Sequence, residues 1–174
     1  MTRVTTLVPV LAVGVLTLSA CAQVQLAARP TAPDPVLADC DGALVVVDDR
    51  ELGETGHGGY SDPRSICVPV DGPATAQEVV AAANVTATRS EADQVCRVDG
   101  VPEEFEGLTR PGGGLYFEHC TTAAPEYARW VVWHQDADGV WSDADQDLRS
   151  VPVEAGERIA LVYSYDGAAT PPGT

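Results

Sequence analysis

The chain has 174 residues and 26 acidic side chains against ten basic ones, all arginine, for a net charge of −16. That balance excludes the basic footprint that nucleic-acid binding needs and a peripheral electrostatic hold on an anionic membrane surface. The length supports one modest hydrophobic core, and the all-arginine basic set beside abundant Ala, Val and Gly reads as the coding bias of a GC-rich, actinobacterial-type genome.

The N-terminus opens with the positive Met1–Arg3, followed by an apolar run from Val4 to Leu18. The run is shorter than the ~20 residues a spanning helix requires, so residues 1–20 are predicted to be an export signal. It ends in LSAC, Leu18 to Cys21, which resembles the bacterial lipobox. That resemblance implies cleavage before Cys21 and a diacylglyceryl group on its sulfur. Acyl chains would then hold the protein to the membrane on its extracytoplasmic face. Residues 21–39, with Pro30, Pro33 and Pro35, read as the lipidated cysteine and a tether. Residues 40–165 are expected to be one domain, and residues 166–174 a disordered tail.

Five cysteines are an awkward number for an exported chain. With Cys21 assigned to lipid, Cys40, Cys67, Cys96 and Cys120 remain, an even set for an oxidising compartment. Of three possible pairings, Cys40–Cys67 and Cys96–Cys120 are favoured because each would bracket one supersecondary unit. A zinc site is disfavoured because no CxxC pair exists, and neither a metal nor a cofactor is expected.

Within the domain, Ala43–Asp49 and Ser65–Val70 are predicted strands, the second with Ile66, Val68 and Val70 on one face. They should form a hairpin across the glycine-rich loop RELGETGHGGYSDPR. Thr75 and Glu78 make a capping box that opens a short helix over Ala76–Ala83, with Val79, Val80 and Ala83 buried and Asn84 ending it. Gln94–Pro102 reads as a strand and turn, followed by a long irregular stretch through RPGGG and LYFEHC. Arg129–Gln135 and Gly139–Ser142 are predicted strands across an Asp138-Gly139 turn in which both residues take positive φ. The last strand, Arg158–Tyr165, follows a turn at Ala155-Gly156 and places Ile159, Leu161, Tyr163 and Tyr165 on one face. The expected class is α+β, a small β-grasp-like roll with a mixed sheet and one short helix.

The acidic run WHQDADGVWSDADQD, Trp133 to Asp147, fits an EF-hand poorly. It offers His134 first and Asp145 last, with strands rather than helices on its flanks. Asp143, Asp145 and Asp147 read as a solvated acidic face. His57, His119 and His134 are scattered, and no GxSxG, HExxH or Ser-x-x-Lys motif is present. No enzyme activity is expected.

Trp130, Trp133 and Trp141 remain. Trp130 and Trp133 are three apart on a strand, so they point to opposite faces, one into the core and one outward. An outward tryptophan beside Trp141 or Tyr116 would make a platform for a planar or ring-shaped ligand. Tyr116, Trp130, Trp133 and Trp141 are therefore the ligand-binding candidates.

The succession Thr75–Val80 (TAQEVV), Cys96–Gly100 (CRVDG), Trp130–Trp133 (WVVW) and Gly156–Ser164 (GERIALVYS) resembles the transcobalamin C-terminal-like domains of bacterial surface and secreted proteins. Val132 stands where those domains carry an aromatic residue, and the final strand lacks their W-x-Y ending. The resemblance implies a β-grasp-like fold and, from the animal transport proteins, a corrinoid ligand. The expected function is a lipid-anchored binding protein that captures a small or ring-shaped ligand for a transporter. The alternatives are an envelope protein-contact module without a small ligand and a protease inhibitor, whose rigid loop Arg97 or Leu115–His119 would supply.

Overall fold

A strand covered on both faces needs apolar side chains at consecutive positions, not alternate ones. Ala43–Asp48, ALVVVD, has that pattern, and all six residues are buried. The computed structural model describes residues 40–55, 62–144, 147–167 and 169–172. The expected signal segment, Cys21, the tether, His57 and Asp145 lie outside the described residues. In chain order the first half forms β1 (Ala43–Asp48), α1 (Arg50–Thr55), β2 (Arg64–Val68), β3 (Ala74–Thr75), α2 (Ala76–Ala82) and β4 (Ala87–Arg89). The second half forms β5 (Val95–Val98), β6 (Leu108–Thr109), β7 (Leu115–Tyr116), β8 (Ala128–Gln135), β9 (Trp141–Asp143), β10 (Pro152–Val153) and β11 (Arg158–Tyr165).

The main sheet has the order β2-β1-β11-β8-β9. β1 and β11 run parallel, with Leu44 opposite Arg158 and Asp48 opposite Val162, while the other pairs are antiparallel. Three two-stranded ladders, β10-β3, β4-β5 and β6-β7, complete the strands. The domain is thus mostly strand, with a mixed sheet and few helices, in line with the expected α+β class.

One face of the sheet carries the main core. Ala43, Val45 and Val47 of β1, Ile159, Leu161 and Tyr163 of β11, and Ala128, Trp130 and Val132 of β8 all point there. Val79 and Val80 of α2, Val95 and Val98 of β5, and Leu108 of β6 close over them. The other face holds a smaller cluster of Leu44, Val46, Ala160 and Val162, against which Cys40, Trp133 and Trp141 pack.

The predicted hairpin of β1 and β2 forms, with Ala43 opposite Val68. Helix α2 begins as the sequence requires. The Thr75 hydroxyl accepts from the Glu78 amide at 3.3 Å, and the Glu78 carboxylate accepts from the Thr75 amide at 2.8 Å. Asn84, at φ 56°, sits in the left-handed conformation that stops the helix.

The short strands β3, β4 and β10 were not expected, and two further differences have a clear physical reason. The loop after β1 begins with a second helix, α1, so one helix was too few. Its anchor is Leu52, fully buried in the main core, while Arg50 forks onto the Asp48 carboxylate at 2.7 and 2.8 Å. A six-residue RELGET segment has one apolar side chain and no periodicity to read; burial of Leu52 makes it helical. The stretch expected to be irregular contains the small hairpin β6-β7, which pairs Leu108 with Tyr116 across a loop of three positive-φ glycines, Gly112 to Gly114.

Thr75→Ala is expected to lower stability by about 1 kcal/mol and the melting midpoint by about 4 °C. The capping hydrogen bonds hold the Glu78 carboxyl below its ordinary pKa of 4.5. A depressed carboxylate stabilises the fold above its unfolded pKa and loses that contribution as pH falls through the folded value. The midpoint difference between wild type and Glu78→Gln should therefore hold constant from pH 8 to about 5 and shrink below about 4.5, as read by circular dichroism melts.

Candidate functional site

Alternation along β8, ARWVVWHQ, divides its side chains between the two faces. Trp130 enters the main core with no exposed surface. Its indole N–H donates to the Val101 carbonyl at 3.0 Å, and its ring meets Tyr163 edge-on at 5.4 Å. Trp133 takes the opposite face. The register of β8 with β9 puts Gln135 opposite Trp141 and Trp133 opposite Asp143. Trp133 and Trp141 are therefore diagonal neighbours on one face, both resting on Leu44, Val46, Ala160 and Val162.

The turn between these strands explains much of the acidic run. Asp136 accepts the amides of Asp138 at 3.0 Å and Val140 at 2.9 Å through one carboxylate oxygen. Its carbonyl accepts from the Gly139 amide at 3.0 Å. Gly139 takes φ 82°, and Asp138 is not among the positive-φ residues. The two-residue turn with positive φ at both positions is thus replaced by a three-residue loop ending in a left-handed glycine.

Asp147 is engaged too: it accepts from the Arg149 amide at 3.2 Å and faces Arg89 at 3.4 Å. The Arg149 amide, and then its guanidinium, hold the Asp147 carboxyl below the usual aspartate range. An ionised, ion-paired carboxylate of this kind suits structure rather than proton donation.

Trp133 lines a cleft of about 430 Å³ with Glu126, Arg129, Val131, Asp143, Gly167 and Ala169. The indole Nε1 of Trp133 is buried and has no hydrogen-bond partner. The Tyr163 hydroxyl in the main core shares that condition, so it is the partial exposure of the Trp133 ring at the cleft, and not its N–H, that makes it a candidate. Arg129, two strand positions from Val131 and four from Trp133 on the same face, brings a guanidinium to the same wall. Arg129, Glu126 and Asp143 were not singled out from sequence, although period two along β8 carries Arg129 and Trp133 together. Gly167 and Ala169 had no such signal, because only the return of the chain past β11 brings them there. Ala169–Pro172 also wall a neighbouring cleft with Asp48, Arg50 and Val162.

Of the four ring candidates, the structure brings together Trp133 and Trp141. Trp130 is a core residue and offers no ligand surface, so it leaves the set. Tyr116 lies on the side of the main core, edge-on to Tyr127 at 5.9 Å, with its hydroxyl donating to Glu118. Burial first, and the Glu118 hydrogen bond second, push the Tyr116 hydroxyl above its ordinary pKa.

The two described histidines stay apart: His134 meets Glu157 at 3.1 Å, and His119 lies 3.8 Å from Glu104. The two disulfides are Cys40–Cys67 and Cys96–Cys120, with Cα separations of 5.6 and 5.5 Å. The first closes the open end of the β1-β2 hairpin. The second ties β5 to the segment after β7. Among the described residues, no group of three or more His, Cys, Asp or Glu is placed to hold a metal ion.

Compared with known protein families, curated proteins and solved structures, the chain matches none.

Truncating Trp130 empties a fully enclosed site, whereas Trp133 is partly exposed. Trp130→Ala is expected to cost about 3–5 kcal/mol and Trp133→Ala clearly less, with native near-ultraviolet circular dichroism kept in the second. Denaturant midpoints for the two variants check this; equal losses would place Trp133 in the structural core.

Proposed function

We propose that this chain is a membrane-anchored, extracytoplasmic, non-enzymatic binding protein that captures a small ring-shaped ligand in the Trp133 cleft for delivery to a transporter. The observation that carries this reading is the partly exposed Trp133 indole in the wall of a cleft of about 430 Å³, with Arg129 on the same wall. A ring stacked on the exposed part of the indole would take the apolar contact, while a polar edge would meet Arg129. The volume of about 430 Å³ lies in the range of small-molecule sites, so a corrinoid-like ligand would enter by one edge. Trp141 extends the aromatic surface along the same sheet face.

The LSAC motif supports anchoring through a lipid on Cys21, and two disulfides suit an oxidising compartment. A β-grasp-like roll is the finer reading of the fold. It is supported by the β1-β2 hairpin, by α2 across one face and by the last strand lying parallel beside the first. A second reading, protein contact, is favoured by exposed rings beside the Cys96–Cys120 disulfide.

The test is a thermal-shift screen of the oxidised protein against corrinoids and smaller planar ligands. A ligand at about a hundred times its dissociation constant adds about 2.7 kcal/mol of stability. Trp133→Ala should abolish the shift, and Trp133→Phe, which keeps a smaller ring, should reduce it. No shift across the panel, or one that survives Trp133→Ala, would remove the cleft as a ligand site.

A further inference from the structure

The chain contains two phenylalanines, and neither is in a core. Phe105 is 84 % exposed and Phe117 39 %, with Leu115 between them in exposure at 53 %. In a protein of this size large apolar side chains normally go inside, and Trp130 and Tyr163 do so here. Leu115 and Phe117 share one surface, and the backbone that carries Phe105 runs beside it. A Cβ at Gly107 would stand 3.0 Å from the Leu115 side chain and 3.2 Å from the Phe117 ring, so the backbone two residues after Phe105 runs directly beside both. From the other direction, Glu104 lies 3.8 Å from His119, whose ring stacks on Phe117 at 6.3 Å.

The backing of this surface is rigid. Leu108 is fully buried beneath it, and the Cys96–Cys120 bridge closes its base. The buried Glu118 carboxylate accepts from the Cys120 amide at 2.6 Å and from the Tyr116 hydroxyl. Arg97 donates to the Glu118 carbonyl, and the Tyr165 hydroxyl donates to the Thr109 carbonyl at 2.7 Å. A preorganised apolar surface binds without the cost of ordering loops.

We propose that Phe105, Leu115 and Phe117 form a docking surface for a protein partner that presents an apolar recess rimmed by arginine or lysine. The rim chemistry selects this occupant. Phe105 sits in the run PEEFEG, with Glu103 and Glu104 both exposed; Glu104 also faces Arg97 at 3.9 Å and His119 at 3.8 Å, so Glu103 is the carboxylate that leads the rim. A second copy would bring the same carboxylates, and the same net charge of −16, against each other. An anionic leaflet would repel them as well. A basic-rimmed recess instead gains charge complementarity, which raises the association rate and fixes orientation. The patch stands on the side of the main core, away from the Trp133 cleft, and does not depend on that cleft holding a ligand.

The test places a photo-crosslinking benzoylphenylalanine at Phe105 in the full chain, in its own cells, with the crosslinked segment sequenced. A control chain carries the probe at Val140, which is 61 % exposed and on another hairpin. The expected result is one protein adduct from position 105 that is missing from position 140. Its crosslinked segment should be apolar and flanked by basic residues. Leu115→Ser with Phe117→Ser should cut adduct yield at least tenfold while the melting midpoint stays within a few degrees. Purified partner should bind Glu103→Gln/Glu104→Gln protein several-fold more weakly, and binding should weaken with added salt. Adducts to a second copy or to lipid would overturn the proposal. So would an acidic crosslinked segment, no adduct at all, or yields indifferent to the Leu115 and Phe117 changes.

Discussion

The pairing of β1 with β11 is the constraint on which the rest of the domain depends. These strands come from opposite ends of the folded chain and run parallel, so a crossover of most of the domain lies between them. Both are buried on their two faces, and each supplies consecutive apolar positions to satisfy that burial. Every other element is placed relative to them. β2 flanks β1, β8 and β9 extend from β11, and α1 and α2 pack through single apolar side chains or a short stripe.

Two differently built faces follow from this centre. One is filled by the main core, where Trp130 and Tyr163 meet edge-on and the indole N–H of Trp130 finds a carbonyl. The other has a thin cluster of Leu44, Val46, Ala160 and Val162, and Trp133 meets a cleft there instead of a second layer. Trp130 is enclosed on all sides, whereas Trp133 keeps part of its ring surface at the cleft. Trp130 has its hydrogen bond inside the protein, and Trp133 does not.

The excursion from residue 103 to residue 120 stands outside this arrangement. Leu108 anchors it in the main core, and a disulfide, a buried carboxylate and a two-residue ladder back it, while Phe105, Leu115 and Phe117 stay on the surface. Stability is thereby drawn from covalent and polar restraints, and the apolar surface is left available. This surface and the Trp133 cleft share no residue.

Local chemistry determined much of this domain. The capping box at Thr75 and Glu78, the alternation of β8 and β11 and the β1-β2 hairpin depend on neighbouring residues and were legible in order. The disulfide partners agreed because each pair closes one local unit. Opposite faces for Trp130 and Trp133 followed from a period of two, although which of them enters the core did not. Other features were decided only by tertiary structure. α1 exists because Leu52 reaches the core, and the β6-β7 hairpin because Leu108 is buried. Trp133 gains Arg129, Asp143 and the chain near Ala169 as neighbours, whereas Tyr116 falls on the far side of the sheet. Sequence periodicity specifies a face of an element, but which distant elements meet at that face depends on long-range strand pairing, and the cleft and the exposed phenylalanine patch both arise at that level.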